Sequence, residues 1–187
     1  FGRRNLDASL EEIKDYVTYQ IGALQAFATA QGVNLQHVKP HGALYTMAVK
    51  NTAIWDAVAE AIAAVDARLI LFVLAGTERK NLEAIGARHG IRIAYEFFGD
   101  RAYNSDGSLG SRNKPGAVIH DSEVVAAKIL KMVKEGKVEC RDGSEIELTA
   151  DTICVHGDNP SALSLVQKIG ETLQAAGVEI APPETFL

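Results

Sequence analysis

Side chains that can carry charge or move a proton recur where three apolar segments of this chain end. The stretch "HVKPH" (37–41) holds two histidines and a lysine at alternate positions, and "TICVHGD" (152–158) ends in a histidine and an aspartate. "YEFFGDR" (95–101) ends in an acid and an arginine. Such groups can serve as general acids or bases, bind an anion or ligate a metal ion. The candidate site consists of Lys39, His41, Glu96, Asp100, Arg101, His156 and Asp158.

An alternation of strand and helix patterns must position these groups. "LILFVL" (69–74) is apolar throughout, which is typical of a strand buried on both faces. The first predicted helix opens with Ser9 and Glu12, which have the spacing of a capping box. The alternation predicts an α/β fold with a mostly parallel sheet, either an open doubly wound sheet or part of a (β/α) barrel. The predicted strands cover 35–41, 69–74, 91–97 and 152–156, the predicted helices cover about 10–30, 51–66, 77–89 and 122–135, a hairpin covers 137–148, and a last helix opens at 158–160.

Alternate positions of a strand share a face, and this pattern groups the polar side chains. Both faces of a parallel sheet are normally covered, so solvent does not explain a polar side. We expect the polar side to run toward the carboxyl ends of the strands, where barrels and open α/β sheets bind their ligands. The residues predicted to share these faces are His37, Lys39 and His41 in one strand, Arg92, Glu96 and, if the strand extends that far, Asp100 in another, and Thr152, Cys154, His156 and Asp158 in the last.

The histidines and one lysine have different interpretations. His37 lies early in its strand and is predicted to pack in the core or against a helix. His41 and His156 each stand beside a glycine at a strand end, which favours a functional role because glycine lets a ligand approach the backbone. Lys39 is either the partner of a phosphate or carboxylate or half of a buried ion pair. His89 is predicted to be a surface cap at a helix end.

The segment 98–120 is longer than the loops that compact domains usually leave without secondary structure. It carries Asp100, Arg101, Arg112 and Lys114 among several glycines, a composition suited to closing over an anion such as a phosphate. The segment is therefore predicted to be a lid or a binding loop, with a solvated surface loop as the alternative. The chain contains neither a Walker A sequence nor GxGxxG.

Composition narrows the class of protein. A length of 187 residues suits a single domain, 1–187, and no apolar run approaches the roughly 18 residues of a membrane span. The net charge of −5 argues against a general nucleic-acid binder. Two cysteines, Cys140 and Cys154, are too few for a disulfide framework, which favours the cytoplasm. The opening "FGRR" has neither an initiator methionine nor a signal peptide, so we expect a natural N-terminus that precedes it.

Three segments together resemble one protein family. They are "HVKPHGALY" (37–45), "EFFGDRAYNSDGSLGSRNKPGAVIHD" (96–121) and "ICVHGDNPSAL" (153–163), and they resemble the LamB/YcsF family. The resemblance extends over nearly the whole chain. It implies a seven-stranded (β/α) barrel of the glycoside hydrolase/deacetylase type. This chain would be the C-terminal majority of that incomplete barrel, and an N-terminal segment of about 60 residues would supply the missing βα units.

The resemblance also implies an activity, which is the opening of the 5-oxoproline lactam to L-glutamate coupled to ATP hydrolysis. Bacterial members of the family are the A component of a 5-oxoprolinase that works with subunits B and C. ATP is then the implied cofactor, with Mg²⁺ or another divalent metal as a further candidate. The implied setting is the cytoplasm, with no membrane and no nucleic acid involved.

The implied chemistry assigns hypothetical roles to the candidate residues. Phosphorylation of a lactam oxygen needs cationic clamps, and the attack of water needs a general base. His156 or Asp158 is the expected base, and Lys39 with His41 is expected at the lactam oxygen or the phosphoryl group. The expected ligands of substrate or nucleotide are Glu96, Asp100, Arg101, Arg112 and Lys114, with the three cations on phosphate or on the substrate carboxylate.

Two other functions stay open at the level of sequence. A deacetylase-like hydrolase of amides or carbohydrates would bind a divalent metal through His41, His156 and Asp158, joined by carboxylates of the N-terminal segment. A non-catalytic scaffold protein would bind a small acid and dock its partners. Activity lost to a chelator and restored by zinc or cobalt would favour the first, and binding without turnover would favour the second.

Overall fold

Helices and strands alternate along the chain in a computed structural model that describes residues 4–5, 7–76 and 78–187. The predicted turn residue Thr77 and the opening "FGR" lie outside these described residues. The alternation confirms the α/β class. The helices are α1 (Leu10–Ala30), α2 (Ala43–Ala48), α3 (Thr52–Asp66), α4 (Arg79–His89), α5 (Ser122–Glu135) and α6 (Ala162–Ala175), the strands are β1 (His37–Val38), β2 (Ile70–Leu74), β3 (Arg92–Phe98), β4 (Lys137–Glu139), β5 (Glu145–Glu147) and β6 (Thr152–Cys154), and a 3₁₀ helix covers Pro183–Thr185.

Four strands form one sheet in the order β1-β2-β3-β6. β1 pairs with β2 and β3 pairs with β6, both in parallel, while β4 and β5 form the predicted antiparallel hairpin. The mostly parallel sheet is confirmed and agrees with an incomplete (β/α) barrel. The seven strands of the full barrel stay a prediction. No helix within the described ranges is both long enough and apolar enough to cross a membrane.

The chain divides into two compact units. The first unit consists of Phe1–Val73, Glu78–Ala94 and Leu187, and the second consists of Leu74–Thr77 and Tyr95–Phe186. Strands β2 and β3 each contribute residues to both units. The single domain expected from the length stays a prediction.

The first unit is built on α1, α3 and the buried strand β2. The predicted capping box opens α1, because Ser9 Oγ accepts a hydrogen bond from Glu12 N at 3.2 Å and Ser9 N donates one to Glu12 Oε2 at 2.8 Å. α1 packs against α3, and every residue of β2 is buried. The continuous apolar run of β2 is thus explained by burial on both faces.

The second unit is built on the end of β3, on β6 and on the packed helices α5 and α6. α5 covers the predicted residues because Asp121 accepts hydrogen bonds from Glu123 N and Val124 N, and Gly136 ends the helix with φ 65. α6 begins at Ala162, a few residues later than predicted.

Two strands end earlier than the sequence predicts, which corrects the expected strand faces. β1 stops at Val38 because Pro40 has no N–H for the ladder, and the backbone turns at Gly42 with φ 62 into the unpredicted helix α2. β6 stops at Cys154, and β3 ends at Phe98. The strand-face prediction is therefore wrong for Lys39, His41, His156 and Asp158, and β3 does not extend as far as Asp100. All five residues lie in the loops that follow β1, β3 and β6.

The long segment that follows β3 is an ordered loop, which we call the 99–121 loop. It folds back on itself through antiparallel bridges that join Arg101 to Val118 and Tyr103 to Leu109. Ile119 N donates a hydrogen bond to Asp100 O at 2.9 Å. Closure of this loop over an anion stays a prediction.

Candidate active site

The candidate active site of the second unit is centred on Asp100 and His156. β3 and β6 are paired with Phe98 opposite Cys154, and the two site residues each lie two positions beyond that pair. Parallel strands bring their carboxyl ends to the same edge of a sheet, so the two side chains meet there. His156 Nδ1 lies 2.8 Å from Asp100 Oδ1, and His156 N donates to Asp100 Oδ2 at 3.1 Å.

Burial and pairing together set the charge of Asp100. The residue is 0% exposed. Burial by itself raises the pKa of the Asp100 carboxyl group, but the hydrogen bonds and charge of His156 outweigh it and place the pKa below its ordinary value. An ionised carboxylate at Nδ1 assigns the proton to that nitrogen and leaves Nε2 as the acceptor of the neutral ring.

The ring of His156 is held from a second side by an aromatic neighbour. Its centroid lies 5.1 Å from that of Phe98, the last residue of β3. The side chain of His156 keeps 17% of its surface exposed. This histidine is therefore oriented by a buried carboxylate and remains accessible to a small reactant, which is the geometry of a general base.

Two further candidate residues, Arg112 and Asp158, form a second pair. Arg112 NH1 lies 3.1 Å from Asp158 Oδ2, and the Asp158 side chain is 62% exposed. An exposed ion pair contributes little to stability, but it holds the guanidinium in one place. Asp158 already faces a cation, which favours His156 over Asp158 as the base.

A third pair, His120 with Asn159, was missed by the sequence analysis. The buried Asn159 places Oδ1 2.9 Å from His120 Nδ1, and its Nδ2 donates to Ile119 O at 3.3 Å. Both residues lie in the segments that carry the family resemblance, and this position in the sequence could have identified them as candidates. The loop between β6 and α6 therefore contacts the 99–121 loop through three side-chain pairs, Asp100–His156, Arg112–Asp158 and His120–Asn159.

Arg101 is turned toward the backbone of its own loop. It is 6% exposed, and its guanidinium donates to Ala117 O at 3.1 Å and to Gly110 O at 2.5 Å. These bonds give Arg101 a part in shaping the loop, while its role as a phosphate or carboxylate ligand stays a prediction. Lys114 is exposed on the same loop.

Glu96 lies in β3 and is 3% exposed. Its partner in the register of β6 is Thr152, whose buried Oγ1 has no hydrogen-bond partner among the described residues. The main chain of Glu96 accepts a hydrogen bond from Ala75 N at 2.9 Å. Glu96 is thus a carboxyl group inside the second unit, and its role as a ligand of substrate or nucleotide stays a prediction.

The other predicted site residues belong to the first unit. Lys39 is half-buried and His41 is exposed, and both follow β1. The ring of His37 is stacked on Phe72 with centroids 4.1 Å apart, yet the residue is exposed, so the prediction of a packed core histidine is wrong. Burial of part of the ring, and then the charge of Lys39, lower the pKa of His37.

His89 also differs from its prediction as a surface cap. Its side chain is 15% exposed, and Nε2 lies 2.9 Å from Asp56 Oδ1 of α3. The end of α4 is formed instead by Gly90, which adopts φ 67. The pair therefore joins two helices of the first unit.

The metal-ligand hypothesis, in which carboxylates of the N-terminal segment complete the ligand set, stays a prediction. No group of three or more His, Cys, Asp or Glu side chains in that part of the chain lies close enough to hold a metal ion. The observed neighbours of His156 and Asp158 are Asp100 and Arg112. We derive no catalytic step through a metal.

Several known proteins are similar to this chain. The model of the LamB/YcsF family matches residues 1–187. The 5-oxoprolinase A subunit of Alkaliphilus metalliredigens is 49% identical over 187 residues, which are 100% of this chain and 72% of that protein. The protein of the same name from Bacillus subtilis is 49% identical over 180 residues, which are 96% of this chain and 69% of that protein.

A solved structure extends the similarity to the fold. The crystal structure of a lactam utilization protein from Thermus thermophilus has 44% sequence identity and a TM-score of 0.85, and the match covers 97% of this chain and 71% of that chain. The sequence similarity and the structural similarity therefore extend over nearly the whole of this chain. This chain belongs to the LamB/YcsF family.

Proposed function

We propose that this chain is part of a 5-oxoprolinase component that opens the lactam of 5-oxoproline to L-glutamate, coupled to ATP hydrolysis and together with partner subunits B and C. The names of the similar proteins support the reaction and the presence of other subunits. The observation that carries the proposal is the Asp100–His156 pair at the ends of β3 and β6. The seven-stranded barrel of the deacetylase type and a cytoplasmic setting belong to the same proposal.

The proposed reaction consumes one ATP and two water molecules. Phosphorylation of the lactam oxygen makes the ring carbon electrophilic, and ADP leaves. One water then adds to that carbon and the C–N bond breaks, which gives an acyl phosphate with a free amine. A second water releases phosphate and leaves L-glutamate. Each attack of water needs a base that removes a proton.

His156 is the proposed base because its Nε2 is the acceptor nitrogen once Nδ1–H is bound by Asp100. The Asp100 carboxylate then stabilises the imidazolium that forms when Nε2 takes the proton. Arg112, held by Asp158, and the exposed Lys114 are proposed to bind the substrate carboxylate or the phosphates. Lys39 and His41 keep their proposed roles at the lactam oxygen or the phosphoryl group.

The direct test measures glutamate and ADP released from 5-oxoproline and ATP. The full-length protein is assayed with subunits B and C, and each component is omitted in turn. We expect release only when this protein, ATP and both partners are present. Binding of 5-oxoproline without turnover in any mixture would instead identify a scaffold protein. Amide hydrolysis with a divalent metal alone would identify deacetylase chemistry.

A further inference from the structure

Lys128 lies on α5, and its ammonium group contacts the backbone on both sides of Asp100. Lys128 Nζ is 3.5 Å from Gly99 O and donates a close hydrogen bond to Arg101 O. These carbonyl groups belong to the residues immediately before and after Asp100. One ammonium group therefore contacts the main-chain carbonyl groups of both residues that flank the carboxylate of the candidate active site.

Two aromatic rings hold the ammonium group in this place. Lys128 Nζ lies 4.9 Å from the ring centroid of Phe97 and 5.1 Å from that of Tyr103. A cation within about 6 Å of an aromatic centroid is attracted by the ring quadrupole. The two rings are stacked with centroids 5.2 Å apart, and Tyr103 OH accepts a hydrogen bond from Phe98 N at 3.0 Å. The ammonium group thus lies against a rigid aromatic pair.

The groups that influence the charge of Lys128 are Asp100, Arg101 and the Cys140 thiol. Burial lowers the pKa of Lys128 to about 8, the charge of Asp100 opposes this change, and the charge of Arg101 adds to it. A buried charge is costly unless it is paired and hydrogen-bonded. The two carbonyl oxygens and the nearby Asp100 carboxylate provide that pairing.

We propose that Lys128 is a positioning residue for the Asp100–His156 pair. Its ammonium group holds the backbone of residues 99–101 so that the Asp100 carboxylate meets His156 Nδ1 and fixes the proton there. This role rests on the proposed function, in which His156 is the base. Lys128 acts through Asp100 and contacts no reacting atom.

The first test compares Lys128→Met with a matched control on the same helix, Lys131→Met. Methionine keeps an apolar chain of similar length and removes the donors. Lys131 pairs with Glu145 of the hairpin, and the charges that act on it are those of Glu145, Glu135 and Glu139. The ring nitrogens of His156 are followed by ¹⁵N NMR in the full-length protein, and kcat and KM are measured in the complex with subunits B and C.

We expect Lys128→Met to lower kcat by about 10- to 100-fold with KM changed less than about twofold, because a misplaced base slows chemistry more than binding. The His156 ring should lose its preference for the Nδ1–H tautomer. Lys131→Met should leave both readouts unchanged. A His156 ring that keeps its Nδ1–H tautomer in Lys128→Met overturns the proposal, whatever happens to stability or turnover.

The NMR readout separates this proposal from the proposed function. Turnover that survives in His156→Ala would reject His156 as the base, while the tautomer would still report whether Lys128 positions Asp100. A second measurement needs no apolar substitution. Between pH 7 and 9.5 the His156 signals of the wild-type protein should show an inflection near pH 8, where Lys128 loses its proton.

Two variants assign that inflection. Lys128→Arg should remove it, because a guanidinium stays protonated in this range. Cys140→Ser should keep it, which excludes the neighbouring thiol as its origin. A wild-type titration without the inflection, or an inflection that persists in Lys128→Arg, contradicts the proposal.

Discussion

Asp100 and His156 stand 56 positions apart and yet share two hydrogen bonds, one from the histidine ring and one from its main chain. The main-chain bond is independent of the protonation state of the ring, so it holds the carboxylate in place whichever form the ring adopts. The ring contact then selects which nitrogen carries the proton. This double contact makes the pair the centre of the predictions below.

Loss of either member of the pair should slow catalysis. We expect His156→Ala and Asp100→Asn each to lower kcat by about 100-fold or more, the usual contribution of a general base and of the group that orients it. KM should change much less than kcat. The measurement is steady-state glutamate release by the assembled complex.

The first unit offers a matched control for these variants. His89 and Asp56 form a second histidine–carboxylate pair at 2.9 Å. His89→Ala and Asp56→Asn should keep the wild-type kcat even where they lower stability. If all four variants retain turnover within about threefold of wild type, His156 is not the base.

Arg101→Met should destabilise the protein. The substitution removes the donor observed at Gly110 O and one of the two donors of Ala117 O, which also accepts from Ala102 N at 3.1 Å. An unsatisfied buried carbonyl costs about 1–3 kcal/mol. We expect the free energy of unfolding in urea to fall by about 1–3 kcal/mol, mainly from the loss at Gly110 O. Unchanged stability with a strongly raised KM for 5-oxoproline or ATP would instead support a role of Arg101 as a ligand.

Gly107→Ala should also destabilise, for a backbone reason. Gly107 has φ +79, and a Cβ there would lie 2.7 Å from Gly76 O. We expect a loss of about 2–4 kcal/mol in the free energy of unfolding, from the disfavoured conformation and from the clash.

Gly170→Ala, in the same unit as Gly107, should instead stabilise the protein. This glycine lies inside α6, and a Cβ there would meet nothing within 4 Å. Alanine in a helix interior stabilises by about 0.5–1 kcal/mol relative to glycine. Equal effects of the two substitutions would contradict the close approach of Gly107 to Gly76.

Lys128 should make stability rise with pH in the alkaline range. Its pKa is about 8 in the folded protein, against the ordinary lysine value of 10.5, so both states are protonated below pH 8. Between these values the unfolded state binds more protons, and the free energy of unfolding increases with pH. The difference between wild type and Lys128→Met, measured by urea unfolding from pH 7.5 to 10, should grow by as much as about 3 kcal/mol.

Lys131→Met is the control for this pH dependence. The hydrogen bond with Glu145 raises the pKa of Lys131, so its contribution to stability is lost rather than gained as pH rises. The difference in the free energy of unfolding between wild type and Lys131→Met should therefore not grow with pH. A wild-type curve parallel to that of Lys128→Met would mean that Lys128 titrates as an ordinary exposed lysine.

Local signals in the sequence determined most of the elements. The buried run of β2, the Asp121 and Gly136 ends of α5 and the turn residues of the β4–β5 hairpin each act within a few neighbouring positions. The predicted strands were too long where polar residues continued the alternation. Pro40 cannot continue β1, and β6 stops at Cys154; a period-two pattern by itself reveals neither end.

The sequence by itself also supplied the chemistry of the site, because Asp100 and His156 were candidates from their residue types and their places near strand ends. Only the tertiary structure decided how the candidates are used. The register of β3 with β6 joined Asp100 to His156, folding of the 99–121 loop turned Arg101 inward, and α5 brought Lys128 onto the backbone beside Asp100. The physical reason is the separation along the sequence over which each effect acts. Propensity and capping depend on nearby residues, whereas these contacts join positions far apart in sequence that only strand pairing and helix packing bring together.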